Sequence, residues 1–276
     1  MFRNYNDNTF NTRINEILCY LAMLFLIKPE AHFSFASYPD ILFLPTGLFS
    51  VLNLNGSITE TVVYALSALW RISVIFCVFN FHKNFFSKVV FFIMFLFFNI
   101  SHNYGWHTHT NMPVVLAAFT LAFGGNQITF LIRSVFCYVF FSAGLSKILN
   151  GGWEWVSTDS FQNILIRSDI YYPDTSVFKN GLNMNYFFAQ HVIFCKISAF
   201  AIILIEFLSP LALIFKRLQL PIVFLLLTMQ ILIYFTIFVN FKNYLILYLF
   251  WIHWDQLLPD WFIQDIKSKF PRSLHV

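Results

Sequence analysis

Charge is what this chain has least of. Only 11% of its 276 residues are Asp, Glu, Lys or Arg, while 58% are hydrophobic; a soluble globular domain has about 25% and about 45–50%. That balance excludes a water-soluble globule. Paired cysteines are lacking too. Cys19, Cys77, Cys137 and Cys195 each stand alone inside an apolar run, with no Cys-x-x-Cys. This speaks against a disulfide framework, a zinc ribbon or a thiol redox pair, and the four read as small apolar packers. Internal repeats and low-complexity tracts are also missing, and one polar stretch, 150–190, is the longest break in the apolar pattern. The net charge of +4 is a modest Lys/Arg excess that membrane topology explains, so nucleic acid is not an expected partner.

What is present is aromatic and aliphatic. Thirty-eight phenylalanines lift the aromatic share to 21%, as expected of a chain solvated largely by lipid. The expected fold is all-α: a polytopic helical bundle forming a single membrane domain over 1–276. Apolar runs cover 14–27, 61–81, 85–100, 128–149, 192–215, 220–239 and 244–258. A shorter run at 112–123 brings the expectation to about eight spans. Residues 41–54 carry Pro45 and Gly47 and read as an interfacial segment. Arg3 and Arg13 before the first run, with Ser34-Phe35-Ala36 after it, form a weak likeness to a cleavable signal. The many later runs make a retained first helix the simpler reading. Lys and Arg near the run ends put both termini in the cytoplasm, with 1–13 and 259–276 as tails and 150–190 on the outer face. The Phe, Ile and Asn bias hints at a bacterial source.

Ionisable residues inside spans are costly and mark function unless a partner neutralises them. Arg71 and Glu206 lie mid-run, and at similar depth they are expected to pair. Should Glu206 face a cavity instead, it becomes a proton relay or substrate partner. Lys147 closes the run ending Ser142-Ala143-Gly144-Leu145-Ser146-Lys147, just before Asn150-Gly151-Gly152. One reading has its ammonium snorkel to water. The small residues before it favour another, in which Lys147 is packed away from lipid and becomes a neutral base. The segment 101–111 gathers His102, His107 and His109 with Trp106 and Asn111. No acidic residue or Cys accompanies them and the spacing fits no zinc pattern, so they read as hydrogen-bonding groups at a cavity mouth and no metal is expected. In 150–190, Trp153 and Trp155 follow the glycine turn, and Phe161, Ile164 and Leu165 recur at helical spacing. That pattern is an amphipathic helix on the membrane surface, either a lid or an anchored loop.

In order and spacing, the His/Asn segment, Phe140-Phe141-Ser142-Ala143-Gly144-Leu145-Ser146-Lys147 followed by Trp153, and Ile205-Glu206-Phe207-Leu208-Ser209-Pro210 resemble the HTTM (horizontally transferred transmembrane) family, the membrane domain of vitamin K-dependent gamma-carboxylases. The resemblance implies a carboxylase-like lyase chemistry in which Lys147 deprotonates a reduced, vitamin K-like quinone, with His109 or His107 assisting. It implies a pocket for substrate or cosubstrate among Asn111, Trp153, Trp106, Glu206 and Arg71. The carboxylases continue into a large extramembrane domain, whereas the last 18 residues here, 259–276, follow the last run directly. Short bacterial members of the family act in maturing a secreted peptide toxin. The expected partners are therefore the lipid bilayer and a small secreted peptide. The competing expectation is a non-enzymatic membrane partner in the maturation or export of such a peptide. A quinone-linked redox bundle of the DoxX kind and a transporter rank lower, the latter because no half of the chain repeats.

Overall fold

A computed structural model describes residues 9–27, 60–103, 112–157, 159–171, 184–237, 242–261 and 263–264. All regular structure among them is helical. The helices are α1 (Thr9–Leu26), α2 (Glu60–Val78), α3 (Lys83–Asn103), α4 (Met112–Phe123), α5 (Ile128–Gly151), α6 (Glu154–Ser157) and α7 (Ser160–Tyr171), followed by α8 (Met184–Ala189), α9 (Val192–Leu208), α10 (Leu211–Ile214), α11 (Gln219–Ile237), α12 (Leu245–Tyr248) and α13 (Trp254–Leu257). Three stretches are long and apolar enough to cross a membrane: Thr61–Val78, Gly125–Gly151 and Val192–Ile214. Met112–Phe123 and Gln219–Phe235 are apolar but shorter. The segment 41–54 lies outside the described residues.

Packing gathers into two compact units, Met1–Val135 with Lys242–Val276, and Phe136–Phe241. In the first unit, α2 buries Val63, Ser67, Trp70, Val74 and Cys77 while Val62, Tyr64, Leu69, Ile72 and Ile75 are exposed. Buried residues recur every third or fourth position, the period of one helix face. The exposed face is as apolar as the buried one, the pattern of a helix with lipid on one side. Helix α4 packs against α3, with Phe91 edge-on to Phe119 and Phe123 at 5.3 and 5.7 Å. Pro113 sits in the first turn of α4, where a missing N–H costs nothing.

One expectation changes in this unit. The run 244–258 is not one spanning helix but short helical turns interrupted at Ile252 and His253, where ψ is 130° and 88°. Hydropathy sees the apolar side chains and not this break. Phe250 and Trp251 are buried here, and docking them takes precedence over a continuous hydrogen-bond ladder. Helix α1 begins at Thr9, ahead of the apolar run 14–27, with Phe10, Asn11 and Arg13 buried.

The second unit is built on the later part of α5 with α9 and α11. Helix α5 ends at Gly151, and Gly152 follows with φ +54°, a left-handed turn that suits glycine. Helix α7 covers the residues whose spacing predicts a helix, but its apolar face meets protein. Leu165 is buried with Ala189 and Cys195, and Phe161 and Phe188 pack on them. Gln162 Nε2 donates to the Ala189 carbonyl at 2.6 Å, tying α7 to α8.

Candidate functional site

Helices gain little hydrophobic drive toward one another in lipid, so small residues and hydrogen bonds decide where they meet. The meeting of α5 and α9 shows both. Along α5, Phe140 and Gly144 are buried and Lys147 follows three residues later on the same face. Along α9, Cys195, Ala199, Ile203 and Glu206 form the buried stripe, while Ile197, Phe200, Leu204 and Phe207 are exposed. A Cβ at Gly144 would lie 3.0 Å from Glu206 Cβ, 3.2 Å from Phe207 N and 3.3 Å from the Ile203 carbonyl oxygen. Only glycine admits that approach without displacement.

Two polar links close the same seam. Ser209 Oγ donates to the Cys137 carbonyl at 3.0 Å, and Cys137 Sγ returns a bond to the Ser209 carbonyl at 3.2 Å. Beyond Gly144, Lys147 Nζ donates to Glu206 Oε2 at 2.5 Å. The Glu206 side chain is 6% exposed and that of Lys147 24%. Lys147 therefore does not extend its ammonium freely to water, and within this unit it is the cation in contact with the Glu206 carboxylate. The close crossing at Gly144 puts Lys147 beside Glu206, a contact that depth along separate runs does not reveal. Arg71 lies in the first unit on an exposed part of α2.

Aromatic pairs flank the seam. Phe141 lies 5.1 Å from Phe207, and Trp153, largely exposed, meets Phe200 edge-on at 6.3 Å. The structure thus brings Lys147 and Glu206 together and sets Trp153 against the helix that carries Glu206. Trp106, His107, His109 and Asn111 lie outside the described residues. Chemically, the seam holds one amine and one carboxylate in contact at a poorly hydrated position, with apolar rings on the adjoining surface. A proton can move between two such groups without a net change in charge.

The first unit holds a second polar cluster that the sequence reading missed. Arg13 Nη1 donates to Glu16 Oε2 at 3.0 Å, and Lys83 Nζ contacts both carboxylate oxygens at 3.0 and 2.8 Å. Arg13 Nη2 also donates to the Cys77 and Val78 carbonyls at 3.2 and 3.0 Å. Around it, Trp254 Nε1 donates to Asn15 Oδ1 at 2.6 Å, and the Asp255 N–H to Asn11 Oδ1 at 3.0 Å. Arg133, buried, donates from Nε to the Phe250 carbonyl at 2.8 Å and lies over the Trp251 ring. The available signal was Glu16 inside the run 14–27; the basic residues looked like charges that set topology. Among the described residues no group of three His, Cys, Asp or Glu is placed to hold a metal ion. No family model, curated protein or solved structure matches the chain.

Proposed function

We propose that this chain is an HTTM-like integral membrane protein, resembling the membrane domain of vitamin K-dependent gamma-carboxylases, that modifies a small secreted peptide with Lys147 as base. In this reading it crosses the membrane about eight times, with the interrupted segment 244–258 counted as a broken crossing, sits in a bacterial cytoplasmic membrane and keeps both termini inside. The observation that supports it is the contact between Lys147 and Glu206 on the packed face of α5 and α9. A lysine without function at a helix end is expected to reach water; this one turns inward to a buried carboxylate.

Lys147 must be uncharged to accept a proton. Passing its own proton to Glu206 achieves that at a desolvated place, where separated charges are costly. Glu206 is thus the proton acceptor behind the base. A reduced quinone would supply an acidic hydroxyl and, with oxygen, the strength needed to remove a carbon-bound proton. The residues suit such a molecule: Trp153, Phe200, Phe141 and Phe207 offer apolar rings beside one amine and one carboxylate. The family resemblance gives the assisting role to His109 or His107 and counts Asn111 and Trp106 among the pocket residues; all four lie outside the described residues. The second reading is a non-enzymatic partner in peptide maturation or export. What favours it is that the same ion pair, with the reciprocal Cys137 and Ser209 bonds, also serves as a mechanical lock between two helices.

Lys147→Ala and Lys147→Arg in the natural host, at matched protein level, separate the two. The enzyme reading expects a specific mass shift of a secreted peptide to vanish in both variants. Retention of that shift in Lys147→Arg, which preserves charge but cannot act as a neutral base, would leave the lock as the account.

A further inference from the structure

Helix α2 ends and α3 begins in a turn that is unusually furnished. The Phe81 N–H returns to the Phe76 carbonyl at 2.9 Å and the Asn80 N–H to Cys77 at 3.2 Å, a left-handed cap with Asn80 at φ +60°. His82 follows at φ +42°, a conformation rarely adopted outside glycine and one that, in a non-glycine residue, marks a position held for a reason. Three phenylalanines project from this turn, Phe79 at 75%, Phe81 at 52% and Phe85 at 63% exposure. Beside them His82, Asn84 and Lys88 are exposed.

Beneath the turn, among the described residues, two cations meet at a single carboxylate. Arg13 and Lys83 share one carboxylate, Glu16. Arg13 offsets the negative end of α2 through the Cys77 and Val78 carbonyls. Lys83 instead stands at the positive end of α3, a helix of 21 residues, where a cation adds to the macrodipole. The Arg13 Nε atom is buried and has no hydrogen-bond partner among the described residues. The Arg13 side chain is 6% exposed and that of Lys83 15%, so Lys83 is the part of the cluster that an incoming group can reach.

From these observations we infer a binding site for a phosphate-bearing anion at the α2–α3 turn, occupied by the headgroup of an anionic phospholipid. Lys83 and the start of α3 meet the phosphate, Arg13 supplies positive charge from below, and Phe79, Phe81 and Phe85 lie against the acyl chains. Basic pockets between membrane helices take such headgroups. The collar of exposed rings favours a lipid over a free anion, which would gain nothing from them. The inference rests on the first unit alone and is independent of the reaction proposed above.

The test is native mass spectrometry of the full chain purified in a neutral detergent, titrated with phosphatidylglycerol, phosphatidylcholine of the same acyl chains, or inorganic phosphate. Phosphatidylglycerol should bind tightest. Lys83→Gln should weaken it about fivefold, the worth of about 1 kcal/mol for one basic contact. Glu16→Gln, which removes the competing carboxylate, should strengthen it. Equal binding of both lipids, equal binding to Lys83→Gln, or displacement of the lipid by phosphate at comparable concentration would each overturn the assignment. A cluster that only ties α1, α2 and α3 together predicts lost thermal stability in both variants with no change in lipid preference. Lys83→Gln keeps a donor toward Glu16, so it gives a result even where Glu16→Gln fails to fold.

Discussion

Gly144→Ala isolates what the seam between α5 and α9 requires. In an exposed helix interior the change stabilises by about 1 kcal/mol, the difference in helix propensity. Here the added methyl would stand 3.0 Å from Glu206 Cβ, 3.2 Å from Phe207 N and 3.3 Å from the Ile203 carbonyl oxygen. Two of these atoms belong to the backbone of α9 and the third is the first carbon of a side chain. None can swing aside, so the helices must separate by a few tenths of an ångström. Overpacking of this kind costs about 1–3 kcal/mol, and the net expectation is a loss of about 1 kcal/mol, with Gly144→Val losing more. Reversible unfolding of the purified chain in mixed detergent micelles, titrated with a denaturing detergent, measures it. Ser146→Ala, on the exposed side of the same turn, serves as the control and should stay within about 0.5 kcal/mol of the parent. A Gly144→Ala variant stabilised by the full propensity gain would refute the close crossing.

Ser209→Ala removes the donor to the buried Cys137 carbonyl and should cost about 1–2 kcal/mol in the same unfolding titration. In the first unit, Trp254→Phe keeps an aromatic ring but loses part of the indole's volume and leaves Asn15 Oδ1 without its indole donor. The expected loss is about 1–3 kcal/mol, read as a lower melting temperature. Arg133→Lys forfeits the Nε bond to Phe250 and the guanidinium's place over the Trp251 ring; a measured loss above about 1 kcal/mol is expected in spite of the preserved charge.

Apolar runs were enough to locate most of the long helices, because lipid tolerates little else over that length. They were not enough at 244–258, where composition says span and the backbone turns at Ile252 and His253. Hydropathy averages side chains and carries no record of where the ladder breaks. For the site, the small residues before Lys147 pointed to packing, and of these Gly144 makes the close approach while Ser146 is exposed. The partner of Lys147 was not legible. Glu206 lies 59 residues away, and which cation reaches it depends on an antiparallel crossing that a single sequence does not encode. The Arg13, Glu16 and Lys83 cluster was hidden for a related reason. Basic residues at run ends serve topology so often that their burial against one carboxylate shows only once α1, α2 and α3 are packed.

The central claim is that Lys147 and Glu206 act as a proton-handling pair, and exchanging the two residues tests it most directly. Lys147→Glu and Glu206→Lys should each lower the amount of folded protein in the membrane, since each leaves two like charges at a poorly hydrated contact. The double exchange should restore abundance, because the pair re-forms with its ends reversed, yet fail to restore the secreted peptide's mass shift, because the amine now projects from α9. Recovery of both would make the pair a structural lock and contradict the catalytic reading; recovery of neither would contradict the contact itself.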